Sequence, residues 1–193
     1  MPDAAPRFRR PTPGDAVDVA RELLDEDERV DVQAVARRLG VSRATMHRWF
    51  GTRENLMAAL FAQMAQEFVA QARAQARGTG DARAFDFVRR LAERAAAVTP
   101  LQRAATEDPA LVMRIVLSHD GPVRGPIVDT VTELLAATRT PAQLRRIRTP
   151  VGLFVDASLA LHWGMVMSGQ TPDGRRYALL GRALLAQAEG TPG

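Results

Sequence analysis

The sequence predicts an all-α protein, with a compact N-terminal module of three helices followed by a larger helical domain. Three observations lead there. Apolar residues recur at helical spacing along most of the chain, glycines and prolines punctuate the runs, and no stretch of the 193 residues alternates as a strand does. An apolar content of 46% is enough to build a core.

The first helix is expected from about Gly14 to Glu28, with Val17, Ala20, Leu23 and Leu24 inward and an acidic outer face. Asp31 reads as the N-cap of a second helix lined by Val32, Val35, Ala36 and Leu39. That helix stops at Gly40, the residue best able to take the left-handed conformation at a helix end. After the turn Gly40-Val41-Ser42, Ser42 caps a short third helix with Met46 and Phe50 inward. Ala44 and Arg48 then face outward, flanked by Thr45 and His47.

Charge is distributed accordingly. All 26 basic residues are arginine and the net charge is +4, which permits a polyanionic partner but does not require one. Residues 15–31 hold eight acids against two arginines, whereas residues 32–53 hold Arg37, Arg38, Arg43, Arg48 and Arg53 and no acid. The basic segment coincides with the helix-turn-helix pattern. Arg43 or Arg48 can present a bidentate pair to guanine, Gln33 can pair with adenine, and the Thr45 methyl can touch thymine. Small Ala44 permits close approach, while His47, Trp49 and Arg53 suit phosphate oxygens at the groove edge. The bland alternative is a solvated face on an ordinary helix pair.

Residues 34–56, AVARRLGVSRATMHRWFGTRENL, resemble the signature of the TetR family of transcriptional regulators: a Gly-Val-Ser turn, an aromatic-ended helix and a basic-Glu-x-Leu helix start. The resemblance implies DNA contacts by Gln33, Ser42, Arg43, Ala44, Thr45, His47, Arg48, Trp49 and Arg53. His47 stands where tyrosine is commoner, so operator affinity is expected to rise as the medium is acidified. The link from Leu24 to Ala36 is shorter than is usual in the family and lacks its glycine-aromatic pair. With the opening RRPTPGDAV and the later SGQTPD, it is similar to the QsdR-type branch, which implies lactone effectors.

The chain then divides into a flexible arm (1–12), a DNA-binding module (13–56) and an effector-binding and dimerisation domain (57–190). Arg7, Arg9 and Arg10 could make the arm a minor-groove reader, although a plain tail fits as well. A long helix runs from Arg53 to about Arg77, followed by the linker Gly78-Thr79-Gly80. Further helices are expected at 81–98, 100–106, 108–119, 123–138, 141–147, 151–168 and 173–188. The segment 151–168 is apolar nearly all round, but Asp156 and His162 within it argue for burial rather than a membrane span.

Two further sites are expected in the larger domain. Phe61, Met64, Phe68, Phe85, Leu91, Met113, Val116, Phe154, Trp163 and Met165 are candidates to line a cavity for a small, largely apolar effector, with His119 and His162 as polar handles. For each, plain core packing is the competing role. Gly152, Ala160, Gly164 and Ser168 form a smooth i, i+4 ridge, and the last helix presents Tyr177, Leu180, Leu184 and Leu185. These two helices resemble the family's dimerisation pair, which implies a homodimer on a pseudo-palindromic operator.

Other functions find little support. The chain has no cysteine, no His-Glu-x-x-His pair, no Gly-x-Ser-x-Gly elbow and no phosphate loop, so neither an enzyme nor a cofactor or metal site is expected. It begins without a basic-then-apolar leader, which makes the cytoplasm the default compartment. An architectural DNA-binding protein without effector control is the remaining alternative.

Overall fold

The structure, a computed structural model, describes residues 9–190. Ten helices make up the regular structure among these residues. The chain separates into two compact units, one ending at Leu60 and the other beginning at Phe61.

The first unit contains α1 (Pro13–Asp25), α2 (Val32–Leu39), α3 (Arg43–Phe50) and the start of α4 (Arg53–Gln75). Thr12 caps α1 in a reciprocal box: its hydroxyl accepts from the Asp15 amide and the Asp15 carboxylate accepts from the Thr12 amide. Arg9 pairs with the same carboxylate. Of the basic arm expected at the N-terminus, Arg7 lies outside the described residues. α1 ends three residues earlier than the sequence suggests. Asp27 takes a left-handed conformation with φ 66°, and the amides of Asp27 and Glu28 close onto the carbonyls of Leu24 and Leu23.

The termini of α2 and α3 follow their local sequence. The Asp31 carboxylate accepts from the Gln33 and Ala34 amides, and Ser42 Oγ accepts from Thr45. At Gly40, φ is 70° and the Gly40 and Val41 amides bond Arg37 and Ala36, which fixes the turn between the two helices. Ala20, Leu23, Val35, Met46 and Leu56 form a common core, each at most 2% exposed. The acidic face of α1 also has a structural role, because Glu26 and Glu22 clasp Arg38 of α2 at 2.6 and 3.5 Å. Arg38 is thereby committed to the fold.

The second unit contains the rest of α4, α5 (Gly80–Ala97), α6 (Thr99–Glu107), α7 (Pro109–Val116), α8 (Arg124–Ala136), α9 (Pro141–Met167) and α10 (Gly174–Gly190). α5, α8, α9 and α10 pack on one another, and α6 and α7 lie against α9. Asp86 anchors the start of this unit: its carboxylate accepts from the Arg77 amide, Arg89 and Arg90. Burial alone would raise its pKa, but these bonds outweigh burial and hold it down at about 2.

α9 differs from the expectation of two helices. It runs unbroken for 27 residues through Pro150, capped by Thr140 with Gln143 in a second reciprocal box. Pro150 removes one intrahelical bond, and the apolar contacts of Ile147, Val151, Phe154 and Val155, each at most 2% exposed, hold the helix together across the gap. The stretch Thr149–Met167 has the length and apolarity of a membrane span. Its polar groups point to packing within the protein instead: Asp156 accepts from Arg124 of α8 at 3.1 Å, and Ser158 and His162 are buried.

Candidate nucleic-acid interface and effector cavity

In the first unit, α2 and α3 present a shallow groove lined by Arg29, Asp31, Gln33, Arg43, Ala44, His47 and Arg53. The buried Met46 pins one face of α3 to the core. That anchoring turns Arg43, Ala44, His47 and Arg48 to solvent. The side chains of Gln33, Arg43 and Arg48 make no hydrogen bond or ion pair among the described residues, so their donors are open to an incoming partner. Ser42 and Thr45 are joined through their hydroxyls at 2.9 Å. Trp49 is half-buried at the edge.

Two candidates are more constrained than the sequence suggests. Arg53 Nε donates to the Val30 carbonyl at 2.9 Å, so part of its guanidinium holds the fold. His47 Nδ1 lies 3.0 Å from the Gly51 carbonyl, which leaves Nε2 as the nitrogen facing outward chemistry. Neither bond was visible in the spacing, because each joins a side chain to a carbonyl whose direction depends on a loop.

In the second unit, α4–α9 and Tyr177 of α10 line a partly open cavity of about 80 Å³. Phe61, Met64, Phe68, Leu91, Val116, His162 and Trp163 line it as expected, joined by residues not expected in its wall, among them Val88, Leu101, Ile127, Val155, Ser158 and Tyr177, the last expected at a dimer face instead. Five residues expected at the cavity lie elsewhere. Phe85 and Phe154 meet edge to face, with ring centroids 5.8 Å apart, and both press on Gly181 of α10. Met113 is half-buried outside the lining, and His119 is exposed in the loop after α7. Met165 is also outside, its sulfur accepting from Arg176 at 3.5 Å.

The wall is apolar except for Ser158, His162 and Tyr177, and no charged side chain contributes to it. His162 Nδ1 and the Tyr177 hydroxyl are 3.1 Å apart. Burial lowers the His162 pKa to about 4 and raises that of Tyr177 to about 12, so both are neutral at physiological pH. Ser158 Oγ and His162 Nε2 are buried without a hydrogen-bond partner among the described residues.

The proposed dimer face needs one correction. Tyr177 and Leu185 are each 1% exposed within the single chain, so neither has surface to give to a partner. Gly152 lies beside Arg124, where a Cβ would come within 3.0 Å of Nη2. An i, i+4 ridge drifts by ~40° per step, or roughly 160° from Gly152 to Ser168, which is why its two ends face different neighbours. Ala160 and Ser168 are exposed, while Gly164, Leu180 and Leu184 are half-buried. Leu153 and Leu179, exposed by 52% and 62%, complete an apolar surface on α9 and α10 that the sequence reading missed.

Family comparisons agree with this architecture. Residues 16–60 match the model described as bacterial regulatory proteins, tetR family, and residues 79–186 match the tetracyclin repressor-like C-terminal domain. The chain belongs to the TetR family. As a TetR-family regulator it has a DNA-binding helix-turn-helix and a helical C-terminal domain. Among curated protein sequences, none matches it.

Solved structures of other transcriptional regulators share the fold. The transcriptional repressor QsdR of R. erythropolis is 21% identical with a TM-score of 0.76, over 90% of this chain and 94% of that one. The repressor AlkX of Dietzia sp., implicated in biodegradation of n-alkanes, is 19% identical with a TM-score of 0.63, over 94% and 97% of the two chains. FadR of Bacillus subtilis, in complex with stearoyl-CoA, is 14% identical with a TM-score of 0.53, over 94% and 100%.

Proposed function

We propose that this TetR-family regulator is a homodimeric repressor that holds a pseudo-palindromic operator and is released by a small, largely apolar effector, with a lactone as the first candidate. The observation that carries the DNA half is the outward face of α3 and the start of α2, where Arg43, Arg48 and Gln33 have donors uncommitted among the described residues. The cavity supports the effector half. α4 belongs to both halves of the chain, since its first turns lie in the first unit while Phe61, Met64 and Phe68 line the cavity. A ligand that favours one disposition of α4 would shift the population towards or away from DNA-competent dimers.

Selection of bound sequences from a random DNA pool tests the reading. A palindromic consensus, with binding relieved by a γ- or δ-lactone, supports it. Salt-dependent binding with no enriched sequence would favour an architectural role instead.

A further inference from the structure

The cavity in the second unit holds two buried polar atoms that the fold leaves unused. Ser158 and His162 stand one turn apart on α9, are 6% and 4% exposed, and both line the cavity. Neither Ser158 Oγ nor His162 Nε2 has a partner among the described residues. Native interiors rarely leave such groups unpaired, and an orphan in a cavity points to a bound occupant.

The protonation pattern follows from Tyr177. Its hydroxyl is buried and neutral, and His162 Nδ1 is its hydrogen-bond partner among the described residues. A phenol hydrogen with this nitrogen as its partner is donated to Nδ1, and the imidazole proton then sits on Nε2. Ser158 adds a hydroxyl hydrogen one turn away. The pair offers donors to an oxygen, inside walls that supply no cation to neutralise an anion and no anion to receive an amine.

We propose that the cavity selects an uncharged, compact and mainly apolar molecule through one carbonyl-type oxygen, which accepts from His162 Nε2–H and Ser158 Oγ–H. This rests on the effector reading above and narrows it: carboxylates such as fatty-acid anions are excluded, and a plain hydrocarbon of the same shape binds more weakly.

Acetophenone, ethylbenzene and benzoate, matched in ring and size, separate these classes. Titration of the full chain by calorimetry is expected to show acetophenone binding about ten-fold tighter than ethylbenzene, the worth of a good buried hydrogen bond, and benzoate not binding at neutral pH. In Ser158→Ala the preference for acetophenone shrinks, and in His162→Phe it vanishes while ethylbenzene still binds. Ser158→Ala removes one oxygen from a helix and keeps the test valid if His162→Phe does not fold. Benzoate binding as tightly as acetophenone would overturn the proposal, as would a preference unchanged in Ser158→Ala and in any His162→Phe protein that folds. Equal binding of acetophenone and ethylbenzene, with release of operator DNA by both, would defeat the carbonyl assignment and leave the effector reading standing. No binding by any of the three, and no effect on DNA, would remove both.

Discussion

The imidazole Nδ1 of His47 lies 3.0 Å from the carbonyl oxygen of Gly51. A carbonyl only accepts, so Nδ1 carries a proton, and in the neutral ring Nε2 is left with a lone pair. A lone pair repels a phosphate oxygen, whereas an ammonium donates to it. His47→Lys is therefore expected to raise operator affinity several-fold. Fluorescence anisotropy at fixed salt measures this, and an affinity equal to wild type would take position 47 out of the phosphate contacts.

Arg43 and Arg48 present side-chain donors without partners among the described residues. Each alanine substitution is expected to cost about 1–3 kcal/mol against the cognate operator if the arginine reads a guanine pair. A phosphate-only arginine would instead weaken specific and non-specific binding alike. Competition with scrambled DNA distinguishes the two roles residue by residue, while unchanged melting temperatures confirm that folding is intact.

Much of the first unit was legible in the sequence, because caps and turns are local. Asp31, Gly40 and Ser42 mark the ends of α2 and α3 through bonds spanning only a few residues. The cavity was less legible, since its walls depend on which faces of separate helices converge. Phe85 and Phe154 looked like wall residues but face each other across Gly181. Ser158 was overlooked as a small residue in an apolar helix; the signal was its place four residues before His162 on the same face.

Gly181 leaves no room for a side chain between α10 and that aromatic pair. A Cβ there would come within 2.8 Å of Phe85 Cδ1 and 3.1 Å of Phe154 Cε2. Alanine favours a helix interior over glycine by about 1 kcal/mol, but overpacking a filled core costs about 1–3 kcal/mol. Gly181→Ala is therefore expected to lower stability in urea melts. A stabilised variant would mean that the rings move aside easily.

Acid should destabilise the second unit in two stages. His162 has its folded pKa at about 4, below the ordinary histidine value, so the unfolded chain takes up the proton first. Its contribution is full above roughly pH 6.5 and declines by about 3 kcal/mol as pH falls to about 4. Asp86, held at about 2, stabilises above the ordinary aspartate range. It loses about 2 kcal/mol as pH falls from about 4 to about 2. Relative to wild type, His162→Gln flattens the upper stage and Asp86→Asn the lower. Profiles parallel to wild type in both variants would contradict these assignments.

Leu153 and Leu179 expose apolar surface on α9 and α10. If that face meets its twofold copy, Leu153→Arg or Leu179→Arg produces monomers in sedimentation velocity and weakens binding to the full operator more than to a half-site. A wild-type protein that is monomeric at micromolar concentration would refute the interface.

The two tryptophans of the chain fall one in each unit: Trp49 half-buried on α3 and Trp163, 5% exposed, on the cavity wall. The protein thus carries a native optical probe at each end of its proposed switch. Trp163 should emit at shorter wavelength and be shielded from iodide, while Trp49 should be redder and open to quenching. With Trp49→Phe and Trp163→Phe variants, ligand entry and DNA docking can be followed separately in unlabelled protein, and the order of the two events can be read by stopped flow.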